Sequence, residues 1–218
     1  MNPAATPVPV EDVQGDGRWM SIHKRYVNES KDKEPDICSL CVFIGDSLIQ
    51  LMAQTDVWFK WFVPMHCLNF GIGGDATQHV LWRLQNGELD DLKPKVIVIL
   101  AGTNNHGHTA EQVVGGLKAI VETVSTKQPQ AQIFVMSIPP RGHEPNPLRE
   151  KIRAINDALP NMLKPFENTQ FVECDNGFIQ ADGTIDHNDM YDYLHLTKQG
   201  YEKLCAPLYE ALTTLLSP

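Results

Sequence analysis

Six apolar residues follow one another from Val96 to Ala101, and this run restricts the fold more than any other feature of the chain. A strand that is apolar on both faces has to be covered on both faces, as a central strand of a parallel α/β sheet is. The run is far too short to span a bilayer. We therefore predict a buried central strand over residues 95–101.

Four further strand-like runs alternate with helical patterns along the chain. The strands are predicted up to Ile44 and at residues 64–72, 132–138 and 169–174. The helices are predicted from near Ser47, after Asp75, from Thr109, from Asn146 and from about Lys198. This alternation is typical of a doubly wound fold in one domain. The predicted fold class is α/β, a three-layer α/β/α sandwich with a central parallel sheet of about five strands.

Local signals define the ends of several predicted helices. Asp75 is a plausible N-cap, and the segment from Thr109 to Gln112 has the spacing of a capping box. Pro147 suits the first position of a helix, whereas Pro160 is expected to break or kink the same helix. The last helix is predicted to bury Tyr201, Leu204, Leu208, Leu212 and Leu215.

The start of the chain is predicted to be organised differently. Residues 1–15 are rich in proline and polar side chains, and we expect a loose arm. Residues 16–30 carry apolar side chains at near-helical spacing, which predicts a short helix ended by the charged segment 31–35. We therefore divide the chain into an N-terminal arm with a short helix, residues 1–35, and one domain, residues 36–218.

Composition excludes some classes of partner. Lys and Arg total 18 against 27 Asp and Glu, which gives a formal net charge of −9. Nucleic-acid and anionic-membrane surfaces need clustered cations, so we expect no nucleic-acid partner and no stable membrane insertion. The first residues also lack the basic and apolar regions of a secretory signal.

The cysteines predict a reducing environment. Their number, five, is odd, and most lie in apolar segments, so we interpret them as buried thiols of a cytoplasmic protein. Cys38 and Cys41 have C-x-x-C spacing, but no second Cys or His pair completes a zinc site. We expect these two residues to serve in packing.

Four segments are predicted to end at one edge of the parallel sheet, where ligands collect in such folds. They carry Ser47, Gly74, Asn104 and the pair formed by Asp192 and His195. Acyl transfer needs a nucleophile, a base, a group that orients the base and donors for the oxyanion. These residues supply every part, so we predict acyl transfer at this edge.

Each residue has a predicted role. Ser47 would attack the carbonyl carbon, and His195 would take the hydroxyl proton and return it to the leaving alcohol. Asp192 would hold the imidazole tautomer and stabilise the imidazolium. The backbone amides of Ser47 and Gly74 and the side-chain amide of Asn104 would form the oxyanion hole.

Several neighbours compete for these roles. Asp186 and Asp189 repeat the three-residue spacing, so spacing alone does not select the carboxylate. Asn105 competes with the preceding asparagine for the oxyanion hole. His106 and His108 resemble a metal pair, but no adjacent carboxylate or thiol completes a ligand set. We interpret this segment as a loop and expect no metal.

Two other site patterns are not present. The dinucleotide fingerprint G-x-G-x-x-G fails because Ala76 stands at its last position. The G-x-S-x-G elbow of α/β-hydrolases is missing around Ser47. A flavodoxin-like nucleotide binder would need basic residues at the first turn, where this chain has Asp46.

Four blocks match, in order, those of a known hydrolase family: Gly45-Asp46-Ser47-Leu48, Gly74, Gly102-Thr103-Asn104 and Asp192-x-x-His195. The chain resembles the SGNH (GDSL-type) hydrolases. Longer segments are similar to the intracellular type I platelet-activating-factor acetylhydrolases of that family, and they span essentially the whole chain after the arm. These segments are residues 68–75, 79–84, 93–98, 102–106, 140–142, 145–149 and 192–197.

The resemblance implies a flavodoxin-like SGNH hydrolase fold and no cofactor. It implies hydrolysis of the sn-2 acetyl ester of platelet-activating factor, an acetylated ether phospholipid, and of related short-chain esters. It also implies a homodimer or heterodimer of α subunits that associates with a lissencephaly-type WD-repeat protein. Leu48, Thr103 and Leu194 would form the acyl pocket, where the two leucines would favour acetyl over long chains.

The sequence therefore leaves two classes of function open. The chain is predicted to be a serine esterase, and the alternative is a non-catalytic subunit that docks on a WD-repeat partner. An activated Ser47 would react with a fluorophosphonate probe, and this reaction separates the two classes.

Overall fold

Five parallel strands form the centre of the molecule. The computed structural model describes residues 1–31, 41–174 and 177–216. The strands are β1 (Cys41–Gly45), β2 (Cys67–Gly71), β3 (Val96–Leu100), β4 (Gln132–Met136) and β5 (Thr169–Val172), in the order β2-β1-β3-β4-β5. Every residue of β1 and β3 is buried, so helices cover both faces of the sheet. The predicted fold class is confirmed.

In the described part of the chain, six α-helices connect and flank these strands. They are α1 (Arg18–Lys31), α2 (Ser47–Met52), α3 (Thr77–Arg83), α4 (Ala110–Lys127), α5 (Pro147–Leu163) and α6 (Lys198–Leu216). The capping box of Thr109 and Gln112 is present, and Asn146 caps α5 with Pro147 at its first position. The strand order reverses between β1 and β3, and in such sheets the crevice outside this switch point is the ligand site.

The predicted bounds of β2 are wrong at its start. Val63–Met65 forms a 3₁₀ turn, His66 has a left-handed φ of 52°, and pairing begins at Cys67. Pro64 has no N–H to donate to a ladder, and its fixed φ suits the turn.

Two predictions for the helices are corrected. Pro160 does not break α5, which continues to Leu163 because the buried stripe that includes Leu159 extends across the proline. Leu215 is 46% exposed, and Leu216, four residues after Leu212, continues the inward face of α6.

The expectation of a loose arm is wrong for the first residues. Ala4 is fully buried, and its carbonyl accepts a hydrogen bond from the Thr77 hydroxyl at 2.8 Å. The Asn2 side chain donates to the Gln112 carbonyl at 2.9 Å. The close approach of Ala4 to α4 requires glycine at position 116, since a Cβ on Gly116 would lie 2.5 Å from the Ala4 oxygen. The short helix is confirmed as α1, whereas the proposed domain boundary after residue 35 lies outside the described residues.

Four cysteines, Cys41, Cys67, Cys174 and Cys205, are free thiols, and Cys38 lies outside the described residues. Burial raises the pKa of Cys174 to about 12, the Glu173 charge adding to this effect, so this thiol is inert. Within the described ranges, no helix is both long and apolar enough to cross a membrane.

Candidate functional site

A hydrogen-bonded chain of three side chains lies beyond the carboxyl end of β1. Ser47 Oγ is 3.0 Å from His195 Nε2, and His195 Nδ1 is 2.7 Å from Asp192 Oδ2. Ser47 is the first residue of α2, and the other two side chains come from the loop before α6. A hydroxyl, an imidazole and a carboxylate that are hydrogen-bonded in this order can activate the serine for attack on an ester carbonyl.

The loop holds its shape through the same carboxylate that contacts the ring. Asp192 Oδ1 accepts hydrogen bonds from the backbone amides of Leu194 and His195, at 3.1 and 2.6 Å. Tyr193, at the centre of this turn, has a φ of 61°. Because one oxygen fixes the turn and the other contacts the ring, the carboxylate both shapes the loop and orients the imidazole.

Asp192 stays ionised in this setting. Partial burial by itself would raise its pKa, but the hydrogen bonds from the His195 ring and from two backbone amides outweigh burial and lower the pKa below its ordinary value. The group therefore carries the negative charge that stabilises an imidazolium.

The competing aspartates have other partners. Asp186 accepts a hydrogen bond from the Asn188 amide, and Asp189 pairs with Lys203 and Gln199. Among the described residues, only Asp192 contacts the His195 ring through a carboxylate.

The segments that carry the predicted oxyanion donors lie beside one another near Ser47. Gly74 has a φ of 83°, which only glycine adopts readily, and a Cβ on its neighbour Gly73 would lie 3.7 Å from Ser47 Cβ. Asn104 donates one side-chain N–H to the Asp75 carbonyl at 3.1 Å. An amide has two such hydrogens, so the second is available to a ligand.

Asn105 does not compete for this role. It is 1% exposed, its Oδ1 accepts from the Thr77 amide, and its Nδ2 lies within hydrogen-bond distance of Gln78 and His108. It therefore joins the loop after β3 to the start of α3. In the described part of the chain, no three His, Cys, Asp or Glu residues are grouped to hold a metal, so His106 and His108 lack further ligands.

The residues predicted to line the acyl pocket offer little open surface. Leu48 is fully buried in the core, and its carbonyl accepts a hydrogen bond from Tyr201. Thr103 is 6% exposed, and Leu194 is half-buried.

A buried ionic cluster supports the oxyanion loop, and it was missed by sequence reasoning. Asp75 is not the N-cap of α3, because Ala76 occupies that position and its amide donates to His79. Instead, Asp75 accepts hydrogen bonds from Trp19 at 2.6 Å and from Arg83 at 2.8 Å. Arg83 also contacts buried Glu88. Trp19 lies too far from Asp75 in sequence for a local pattern to reveal the cluster.

Asp46, next to Ser47, is a buried acid with one unpaired oxygen. Its Oδ1 caps α2 by accepting from the Leu48 amide at 2.9 Å, whereas Oδ2 has no hydrogen-bond partner among the described residues. Burial raises the pKa of Asp46 to about 7, the Leu48 hydrogen bond acts in the opposite direction, and the Asp75 charge adds to the increase.

This pKa predicts a pH-dependent stability. Between pH 4 and 7, Asp46 keeps its proton in the folded protein. In the unfolded chain, where its pKa has the ordinary value of 3.8, the proton has been released. The stabilisation is therefore complete below pH 4 and is lost as the pH rises through 7. Because Asp46→Asn removes this titration, its free energy of unfolding relative to the parent should increase by about 3 kcal/mol from pH 5 to pH 8 in urea titrations. A pH-independent difference between the two proteins would contradict the assignment.

Comparisons with known proteins agree with this geometry. Residues 43–203 match the model of the GDSL-like lipase/acylhydrolase family. The chain is 57% identical over 216 residues to the platelet-activating factor acetylhydrolase IB subunit alpha1 of Homo sapiens, covering 99% of this chain and 92% of that protein. It is 54% identical over 215 residues to the alpha2 subunit of Rattus norvegicus, with coverages of 99% and 92%.

Solved structures give the same fold at lower identity. A GDSL-like lipase from Bacteroides thetaiotaomicron superposes with a TM-score of 0.75 at 20% identity, covering 89% of this chain and 98% of that one. A carbohydrate acetylesterase from Sinorhizobium meliloti gives 0.62 at 17% identity, with coverages of 81% and 99%. The family model spans most of the chain, and the relatives match over nearly its full length. The chain therefore belongs to the GDSL-like lipase/acylhydrolase family.

Proposed function

We propose that the chain is a serine esterase that hydrolyses the sn-2 acetyl ester of platelet-activating factor and related short-chain esters. The observation that carries this proposal is the hydrogen-bonded chain from Ser47 through His195 to Asp192. The substrate class is supported by the named activity of relatives that are more than half identical to the chain.

The reaction would proceed in two steps. Ser47 Oγ attacks the acetyl carbonyl while His195 Nε2 takes its proton, and the imidazolium then protonates the departing glycerol oxygen. Water, deprotonated by the same imidazole, attacks the acetyl-enzyme, and the products are acetate and free Ser47. Asp192 stabilises the imidazolium in both steps.

The oxyanion would be held by the amides of Ser47 and Gly74 and by the Asn104 side chain. Asn104→Ala should lower kcat by about 10²–10³-fold with little change in stability. Asn105→Ala is the matched control, because it removes buried hydrogen bonds and should lower the unfolding temperature instead. Equal kcat values for Asn104→Ala and the parent would exclude Asn104 from the oxyanion hole.

A fluorophosphonate probe tests the proposed esterase most directly. The parent should form a stoichiometric adduct on Ser47, located by mass spectrometry, and His195→Ala should not. A folded parent protein that neither reacts nor releases acetate would instead favour the non-catalytic subunit.

Parallel assays with acetyl and octanoyl esters test the acyl pocket of Leu48, Thr103 and Leu194.

We also propose that the protein acts in a subunit assembly. The relatives are named as subunits, which supports a homodimer or heterodimer of α subunits with a WD-repeat protein as a further partner. Free thiols at four described cysteines support the cytoplasm as its location.

A further inference from the structure

Arg141 connects two of the loops that build the site. Its Nη1 donates to the backbone oxygen and to the hydroxyl of Thr103, at 3.0 and 3.2 Å. Thr103 directly precedes Asn104. The amide of the next residue, Gly142, donates to the Tyr193 carbonyl at 2.7 Å, in the turn that holds the imidazole. Arg141 therefore lies beside the triad loop and the oxyanion loop together.

The guanidinium has donors to spare. Within the described residues, Arg141 forms no ion pair, and both of its hydrogen bonds use Nη1. Burial lowers its pKa, while the charges of Asp46 and Asp192 act in the opposite direction. Asp46 precedes Ser47 and Asp192 orients His195, so the cation lies near the reacting groups.

A second cation lies next to it. Among the described residues, Lys151 Nζ donates only to carbonyl oxygens, those of Asn105 at 2.8 Å, His108 at 3.1 Å and His106 at 3.4 Å. Burial lowers the pKa of Lys151, and the nearby Arg141 charge lowers it further. Four of the other lysines pair with carboxylates, namely Lys118, Lys127, Lys198 and Lys203.

Two adjacent cations without carboxylate partners repel each other unless an anion lies between them. We propose that Arg141, assisted by Lys151, binds the phosphate oxygens of a glycerophospholipid while the neighbouring sn-2 ester lies on Ser47. The inference rests on the proposed esterase function and adds the head-group determinant to it. The sn-2 ester and the phosphate sit on adjacent carbons of glycerol, so one substrate reaches both groups. The planar fork of arginine suits two phosphate oxygens.

The test uses three soluble substrates that share a 1-hexyl-2-acetyl-glycerol core. One has no phosphate, one carries a phosphomonoester and one carries phosphocholine. For Arg141→Gln, the ratio of kcat/KM for each phosphorylated ester to that for the neutral ester should fall by about 10–100-fold, mainly through KM. Arg141→Lys should recover part of the ratio, and the control Lys118→Gln, which removes an exposed positive charge, should keep the parent ratio.

The ratio separates recognition from positioning. An equal fall in kcat/KM for all three esters would overturn the inference and leave Arg141 as a residue that holds Thr103 in place. A loss restricted to the phosphocholine ester would also overturn it, because the monoester offers the same oxygens. A parent that hydrolyses none of the esters would overturn the esterase proposal as well, whereas a normal parent with an unchanged ratio in Arg141→Gln would overturn this inference alone.

Discussion

Ser47→Ala should lower kcat for acetyl ester hydrolysis by about 10⁵–10⁶-fold and leave the fold intact. The side chain supplies the attacking oxygen, and removing the serine or histidine of a comparable triad costs about 10⁶. The loss in stability should be small, because the only side-chain hydrogen bond removed within the described ranges is the 3.0 Å contact with His195. Release of acetate and unfolding in urea measure the two effects.

The triad residues should behave as one unit. His195→Ala should lose about as much activity as Ser47→Ala, and the double variant should lose no more than either one, since each change already removes the same step. Ser125→Ala, which truncates a half-buried serine on α4, is the control and should keep full activity. Additive losses would mean that the hydroxyl and the imidazole act in separate steps.

The position of Ser47 could be predicted because its determinants are local. An apolar strand, a tight Gly-Asp end and a helix start occupy consecutive residues, and parallel strands bring such ends to one edge. The choice of Asp192 over Asp186 and Asp189 could not be made from spacing. It depends on tertiary contacts: Asp192 keeps one carboxylate oxygen for the His195 ring, whereas Asp189 is paired with Lys203.

The contacts that hold the site in place could not be predicted for another reason. Trp19 lies 56 residues before Asp75, and only the folded chain brings α1 against the loop after β2. Asp75 fits the local pattern of an N-cap, but burial beside Arg83 gives it a stronger partner than a helix amide. Likewise, proline-rich composition predicts a loose start but does not reveal that α4 has a glycine where Ala4 can dock. Long-range polar contacts such as these leave no periodic signal.

Arg83→Leu should destabilise the protein by about 3–5 kcal/mol. This is the largest loss of stability that we expect from any single substitution that we propose. The guanidinium is fully buried between Asp75 and Glu88, and it also donates to the carbonyls of Gly45 and Phe70. Removing it leaves two carboxylates buried without their cation, and uncompensated buried charges of this kind are costly. Urea unfolding at pH 8, where carboxylates favour the ionised state, gives the measurement.

The same change should also weaken catalysis, because Arg83 holds the residue that follows Gly74. A relaxed Asp75 would release both the Gly74 amide and the carbonyl that orients Asn104, so kcat should fall even at temperatures where the variant is folded. Arg153→Leu, on the exposed face of α5, is the control and should change neither quantity. A loss of stability below about 1 kcal/mol would show that the two carboxylates do not depend on the Arg83 cation inside the fold. Normal kcat in a destabilised variant would instead separate the ionic cluster from the oxyanion loop.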